Sequence, residues 1–299
     1  MDLKQLAVLR AIADTGSFGA AAERLGLTQP AVSHQLRRLE EELGETLILR
    51  KRPRAAVSPA GATVLATAQR VLGEIEDLKE TFAPRGGGEA SGALRVTASA
   101  LGIVYLYGDL LARFIGAHKR IEVALTTVET PFDGIRKVAA RESDAAFVAF
   151  PTPEPNMAEL VLGETEHCVL VARDHPLGAR SAVTLGELRR HPLIRYKTGA
   201  GSRWMTDGLF LPRGGYPEIF LESNDTEFVK RIVALGFATA VVPRVSLRHD
   251  PHDRRLRRLA IQGHPMRQKY GLSYRPDSRS RALAAFIAFC RQNRSLVPA

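Results

Sequence analysis

Along the first sixty residues, apolar positions recur at helical spacing and are broken by short turns. Leu3, Leu6, Leu9, Ile12 and Ala13 predict a first helix that Gly16-Ser17 ends, and a short second helix begins near Phe18 and carries Ala20-Ala21-Ala22 and Leu25. Gly26 and Leu27 lead to Thr28, a natural N-cap, with Gln29 and Pro30 in the first turn of a third helix ending at Leu43. Proline there removes no helical hydrogen bond. Ala22, Gly26 and Val32 have helix-turn-helix spacing: a small residue for close approach, a glycine for the turn and a β-branched residue packed beneath.

The third helix divides into two faces. Val32, Leu36, Leu39 and Leu43 form the predicted buried face, and Gln29, Ser33, His34 and Arg37 lie along the other. In a helix-turn-helix that polar face enters the major groove, where Gln29 can pair with an adenine edge and His34 or Arg37 with guanine or phosphate. Beyond Gly44, Leu47-Ile48-Leu49 and Ala55-Ala56-Val57 predict two strands joined by a basic turn holding Arg50, Lys51, Arg52 and Arg54. Such a wing places its cations on backbone phosphates. The DNA-facing candidates are therefore Thr28, Gln29, Pro30, Ser33, His34, Arg37, Arg50, Lys51, Arg52 and Arg54.

Ser58-Pro59 opens a long helix in which Val64, Ala68, Val71, Ile75, Leu78 and Phe82 alternate at steps of four and three. This heptad seam must be covered, either by the same helix of a second chain, giving a homodimer, or by packing within its own chain. Pro84-Arg85-Gly86-Gly87-Gly88 then forms a joint. From Leu94 the pattern changes to strands alternating with helices: Leu94 to Ala98, Glu122 to Val128 and Asp144 to Phe150, then a second set from His167 to Ala172 through Leu193-Ile194-Arg195, Ile219-Phe220-Leu221 and Ala238 to Val242. Lys269 to Arg275 and a helix through Phe286 and Phe289 have no partners in the second set and are expected to return to the first.

The formal net charge of +10 invites a nucleic-acid reading, yet residues 1 to 90 hold twelve Lys/Arg and twelve Asp/Glu, so the excess lies wholly in the remainder. Local clustering, not global charge, carries the argument for DNA. The two cysteines, Cys168 and Cys290, exclude a disulfide framework and a four-cysteine zinc site. No leader-like start and no apolar run of about 20 residues is read, so a cytoplasmic protein without membrane contact is expected.

The stretch Ser17-Phe18 to Ala22, Leu25, Thr28-Gln29-Pro30-Ala31-Val32-Ser33, Arg38-Leu39-Glu40, Leu43-Gly44, Leu47, Arg50 and Pro59-Ala60-Gly61 resembles the signature of LysR-type transcriptional regulators. Looser matches continue in Asp174-His175-Pro176-Leu177, Val233 to Ala238 and Val242-Pro243. The resemblance implies an α/β chain: an N-terminal winged helix-turn-helix, a long linker helix, and a two-lobed effector domain like a periplasmic binding protein. It implies binding to double-stranded promoter DNA, a small-molecule effector, and a tetramer through sensor contacts. The expected boundaries are 1–58 for the DNA-binding domain, 59–88 for the dimerising helix and hinge, 93–163 for lobe 1 completed by 269–299, and 164–268 for lobe 2.

Ligands in such lobes sit at the carboxyl ends of parallel strands beside helix N-termini. By position these are Ser99, Ala100, Thr130 and Ala149 on one side and Thr198, Ser202 and Asn224 on the other, each of the hydroxyl residues also being an ordinary helix cap. Arg195, Lys197 and Arg203 suggest an anionic effector. His249-Asp250-Pro251-His252-Asp253 is better read as a surface loop than a metal site, because Arg254, Arg255, Arg257 and Arg258 would repel a cation. No cofactor is expected. The rival reading, a cytoplasmic α/β small-molecule-binding protein or enzyme without DNA reading, lacks a Gly-x-Ser-x-Gly elbow, a phosphate loop, a Gly-x-Gly-x-x-Gly turn and a His-Glu-x-x-His pair. A transport binding protein would need the leader that is not read here.

Overall fold

Local capping chemistry sets the first helices. In the computed structural model, which describes residues 1–49, 54–82, 90–150, 154, 156–248 and 253–298, Asp2 and Gln5 form a capping box at α1 (Leu3–Thr15), and Ser17 caps α2 (Phe18–Leu25). Gly26 takes φ +63°, a backbone conformation that favours glycine, and turns the chain toward α3 (Gln29–Leu43). β1 (Ile48–Leu49) pairs antiparallel with β2 (Ala56–Val57), and α4 (Pro59–Phe82) follows. Leu9, Ile12, Ala21, Val32, Leu36, Leu39, Leu47 and Ala68 join in one core, so the helix-turn-helix, the wing and the start of α4 form a single packed unit. Leu43, expected in the buried face, is 39% exposed, because α3 ends there at Gly44 and runs past the core.

The chain divides into two compact units, one spanning residues 1–87 and one carrying nearly all of 88–299. In the second, β3 (Gly92–Ala98) leads through a three-residue turn of helix α5 (Ala100–Gly102) and a π-helical segment into α6 (Gly108–Ala117). The run 100–117 meets the length and composition of a membrane span, which the sequence reading had not found, but its apolar face places Leu106, Tyr107, Leu110 and Phe114 in the core of this unit. β4 (Ile121–Thr127), α7 (Pro131–Ala139) and β5 (Ala145–Ala149) complete two strand-helix-strand steps, with β3 parallel to both neighbours.

β6 (Ala158–Ala172) is much longer than the His167–Ala172 strand expected from sequence. Its first half buries Leu160 and Leu162 while Glu159 and Glu166 face outward, an alternation that Gly163 and the carboxylates obscure in sequence. β7 (Ala182–Val183), α8 (Leu185–Leu188), β8 (Leu193–Arg195), α9 (Gly201–Phe210), β9 (Ile219–Glu222), α10 (Thr226–Ala234) and β10 (Thr239–Pro243) follow. β11 (Leu256–Ile261) is a strand that the sequence reading did not assign, with Leu256, Leu259 and Ile261 buried between the cations. β12 (Arg267–Tyr274) and α11 (Arg281–Gln292) return to the first set, with β12 inserted antiparallel between β5 and β6.

β6 joins two sheets. Ala158 to Glu166 pairs with β12, whereas His167 to Leu170 pairs with β10 and Val169 to Ala172 with β11. The change of partner at Glu166/His167 marks the passage between two lobes, one ordered β4-β3-β5-β12-β6 and the other β6-β10-β8-β9 with β11 and β7 at its side.

Candidate functional site: a polar helix face and an interlobe cleft

In the first unit α3 presents what its sequence periodicity dictates. Val32, Leu36 and Leu39 are at most 1% exposed, while Gln29, Pro30, His34 and Arg37 are exposed and Ser33 is half-buried. Thr28 Oγ1 accepts the Ala31 N–H at 3.4 Å, so this hydroxyl caps the helix. Glu40, on the inner side, accepts the N–H groups of Leu47 at 2.8 Å and Ile48 at 3.2 Å and thereby ties α3 to the wing strand. Arg54 is exposed at the base of the wing, where the Ala55 N–H donates to Gly16 O at 2.9 Å. Arg50, Lys51 and Arg52 lie outside the described residues.

At the head of α4, Ser58 Oγ accepts the Gly61 N–H at 2.9 Å, and a Cβ on Gly61 would stand 2.1 Å from Leu47 O. Glycine is required by this close approach, a reason that sequence spacing alone does not show. The heptad seam divides. Ala68 is fully buried and Val64 and Val71 pack against the core of their own chain, whereas Leu78 is 54% and Phe82 79% exposed.

The second unit holds a cleft of about 560 Å³ between the ends of its two sheets. Ser99, Ala100, Ala149, Ser202 and Asn224 line it. Ser99 caps α5 by accepting the Gly102 N–H at 3.1 Å, and Asn224 Oδ1 accepts the Lys197 N–H at 3.0 Å. Thr130 and Thr198 are not among the lining residues. Thr130 Oγ1 donates to Asp133 Oδ2 at 2.8 Å, a bond that holds the Asp133 carboxyl below its ordinary range, and Thr198 is exposed to solvent. Arg195, Lys197 and Arg203 also stand outside the lining. Arg195 pairs with Glu222 at 2.5 Å and Arg203 with Asp207 at 2.7 Å.

Much of the wall comes from residues that sequence position did not single out. Tyr107 stacks on Phe147 with ring centroids 3.8 Å apart, and Tyr270 meets Tyr107 edge-on at 6.0 Å. Gln268 Nε2 donates to Gly201 O at 3.2 Å, holding β12 to the start of α9. Behind Ser202, His167 Nε2 lies 3.2 Å from Ser202 Oγ, and burial pushes the His167 imidazole down to about 4. Lys269 to Arg275 was expected to return to the first set, but which strand ends meet is decided by pairing across the chain.

Burial raises the thiols of Cys168 to about 11 and Cys290 to about 12, which keeps both protonated and unreactive. Among the described residues no group of His, Cys, Asp and Glu could hold a metal ion, and His249 to His252 lie outside them.

Two family models match the chain: "Bacterial regulatory helix-turn-helix protein, lysR family" over residues 3–62, and "LysR substrate binding domain" over residues 87–295. A RuBisCO operon transcriptional regulator of Allochromatium vinosum is 29% identical over 97% of this chain and 95% of its own. The HTH-type transcriptional regulator CbbR of Xanthobacter flavus is 27% identical over 99% and 89%. Among solved structures, a full-length cysteine-to-aspartate variant of OxyR from Pseudomonas aeruginosa superposes with a TM-score of 0.78 at 22% identity, covering 99% of this chain and 96% of that one. CbnR complexed with its target DNA gives 0.67 at 22%, covering 98% and 99%. Both show likeness of fold.

Proposed function

This chain belongs to the LysR family of DNA-binding transcriptional regulators with an effector-binding domain, and from that premise we propose which of its residues read DNA and which receive the effector. It is a regulator and not an enzyme. Gln29, Ser33, His34 and Arg37 read base edges in the major groove, Thr28 and Pro30 set the start of the reading helix, and Arg54, with Arg50, Lys51 and Arg52 of the wing, contacts phosphates. The observation that carries this reading is the exposed polar face of α3 opposite an apolar face that is at most 1% exposed.

The effector binds in the interlobe cleft against Ser99, Ala100, Ala149, Ser202 and Asn224. A volume of about 560 Å³ is in the range of small-molecule sites. To regulate, the effector must bind two arrangements of the protein with different affinity, which a cleft between two lobes supports. The assembly in this reading is a homodimer through the exposed end of α4 at Leu78 and Phe82; a tetramer follows from family likeness alone. The protein acts on promoter DNA in the cytoplasm.

Electrophoretic or anisotropy titration of the chain's own upstream promoter fragment, with excess random DNA as competitor, tests the reading. Retention of the promoter fragment at competitor levels that strip a random fragment is the expected result. Equal loss of both would remove sequence-specific DNA reading.

A further inference from the structure

We propose that the ligand of the interlobe cleft is an uncharged, largely apolar organic molecule whose polar end accepts a hydrogen bond; this deepens the effector reading above and rests on it. Among the described residues no lysine, arginine or histidine lines the cleft. Its acidic lining groups among the described residues are Glu129, Asp225 and Glu227. Asp225 caps α10 by accepting the Phe228 N–H at 3.0 Å, Glu227 is paired with Lys230 at 2.6 Å, and Glu129 is exposed. A phosphate or polycarboxylate would enter this space facing carboxylates, and the cation behind the wall, Lys230, is 1% exposed and already engaged by Glu227 and Tyr105, so the anion would be buried without a partner of its own, which is strongly disfavoured. A cationic ligand finds these carboxylates either engaged or in solvent.

Most of the remaining wall is aromatic and aliphatic, with Ser99, Thr127, Thr165, Asn224, Thr226 and Gln268 as its neutral polar members. Tyr107 and Phe147 stack face to face, and Tyr270 closes on Tyr107 from the side, giving an apolar floor. The polar end is set by Ser202. His167 is 7% exposed and its Nδ1 has no hydrogen-bond partner among the described residues, while its Nε2 meets Ser202 Oγ at 3.2 Å. Leaving an N–H bare in the interior is rarer than leaving a lone pair bare. The proton therefore sits on Nε2 and donates to Ser202 Oγ, which leaves the serine's own hydrogen to be offered into the cleft. Ala200 gives no side-chain cap to α9, so the Gly201 and Ser202 N–H groups, on residues that line the cleft, are left without a capping side chain at the same end. Both features are donors, and they call for an acceptor such as an amide or ester carbonyl.

The test uses four probes on the full chain, followed by ligand-detected saturation-transfer NMR: 4-phenylbutanamide, 4-phenylbutanoate, citrate and inorganic phosphate. The first two have one shape and differ in charge. The amide is expected to bind at least tenfold more tightly than the carboxylate, with no saturation transfer to citrate and no phosphate effect on amide binding. Ser202→Ala should weaken the amide about tenfold. Val104→Trp, at a lining residue that is 68% exposed and so tolerant of a larger side chain, should block it. Tighter binding of the carboxylate, citrate or phosphate, lost in Val104→Trp, would overturn the ligand class and leave the cleft standing as the effector site. Amide binding unchanged in both variants, or no binding by any probe, would remove the cleft itself and the proposal with it.

Discussion

Lys230 Nζ donates to Tyr105 Oη at 3.2 Å, so a lysine on α10 of one lobe is bonded to a residue of the other. The lysine side chain is 1% exposed. It also donates to Ser246 O at 2.9 Å and pairs with Glu227 at 2.6 Å. A charge this deep is tolerated because it is both hydrogen-bonded and paired with a carboxylate. Tyr105 lines the cleft, so the same bond joins the cleft wall to the lobe contact.

Tyr105→Phe removes the cross-lobe partner and nothing else in shape. A hydrogen bond to a charged group contributes about 1.5 to 3 kcal/mol. For a unit of this size that loss lowers the midpoint of thermal unfolding by roughly 3 to 12 °C. Scanning calorimetry of wild type and variant checks it, and an unchanged midpoint would mean the bond is not held in solution.

Gly61→Ala should destabilise the N-terminal unit by about 1 to 3 kcal/mol, because its Cβ would meet the backbone oxygen of Leu47 at 2.1 Å and backbone cannot yield as a side chain does. Gly116→Ala serves as the contrast. It has no atom within 4 Å of its would-be Cβ and lies in α6, where alanine is favoured by about 0.5 to 1 kcal/mol. Urea unfolding of both variants should move in opposite directions.

Acid should weaken the effector domain through His167. Its imidazole titrates near 4 in the fold against an ordinary 6.5 because it is buried. The unfolded chain therefore takes up the proton first as pH falls. The stability contributed by the neutral ring is complete above pH 6.5 and is lost between 6.5 and 4, by about 3 kcal/mol. His167→Gln keeps a donor toward Ser202 and should flatten the slope of unfolding free energy against pH within that window. A slope identical to wild type would contradict the buried neutral ring.

On DNA, Gln29→Ala should reduce discrimination between operator and random sequence by about 1 to 3 kcal/mol, the worth of a bidentate base contact. Arg54→Ala should weaken both alike and reduce the slope of log affinity against log salt by about 0.9, as expected for one lost phosphate contact. Anisotropy titrations at several salt concentrations separate the two patterns, and equal losses on both DNAs for Gln29→Ala would displace α3 from the groove.

Dimerisation and folding can be separated along α4. Leu78→Asp changes a residue that is 54% exposed, so the chain should fold normally and sediment at half the wild-type mass. Val71→Asp instead places a charge against the core of its own chain and should unfold the N-terminal unit. A Leu78→Asp variant that keeps the wild-type mass would move the dimer contact away from this end of the helix.

Read in one dimension, the chain already carries its helix-turn-helix. Thr28, Pro30, Gly26 and the Val32, Leu36, Leu39 stripe act within one or two turns of themselves, so capping, backbone freedom and periodicity are written locally. The alternation of strands and helices after Leu94 was legible for the same reason. What tertiary structure decided lies where distant segments meet. β6 takes β12 as partner for one half and β10 and β11 for the other, and only that pairing brings Tyr270, Gln268 and Thr165 beside Ser99 and Ser202. The heptad seam reads as one stripe, yet the fold covers Ala68 and leaves Phe82 bare, because where the core ends is not a property of the helix. Thr130 and Thr198 occupy plausible positions in sequence, but one bonds Asp133 and the other faces solvent. Arg195 and Arg203 read as free cations in sequence, whereas in the fold Glu222 and Asp207 stand against them, since a charge meets its partner only when the chain has folded.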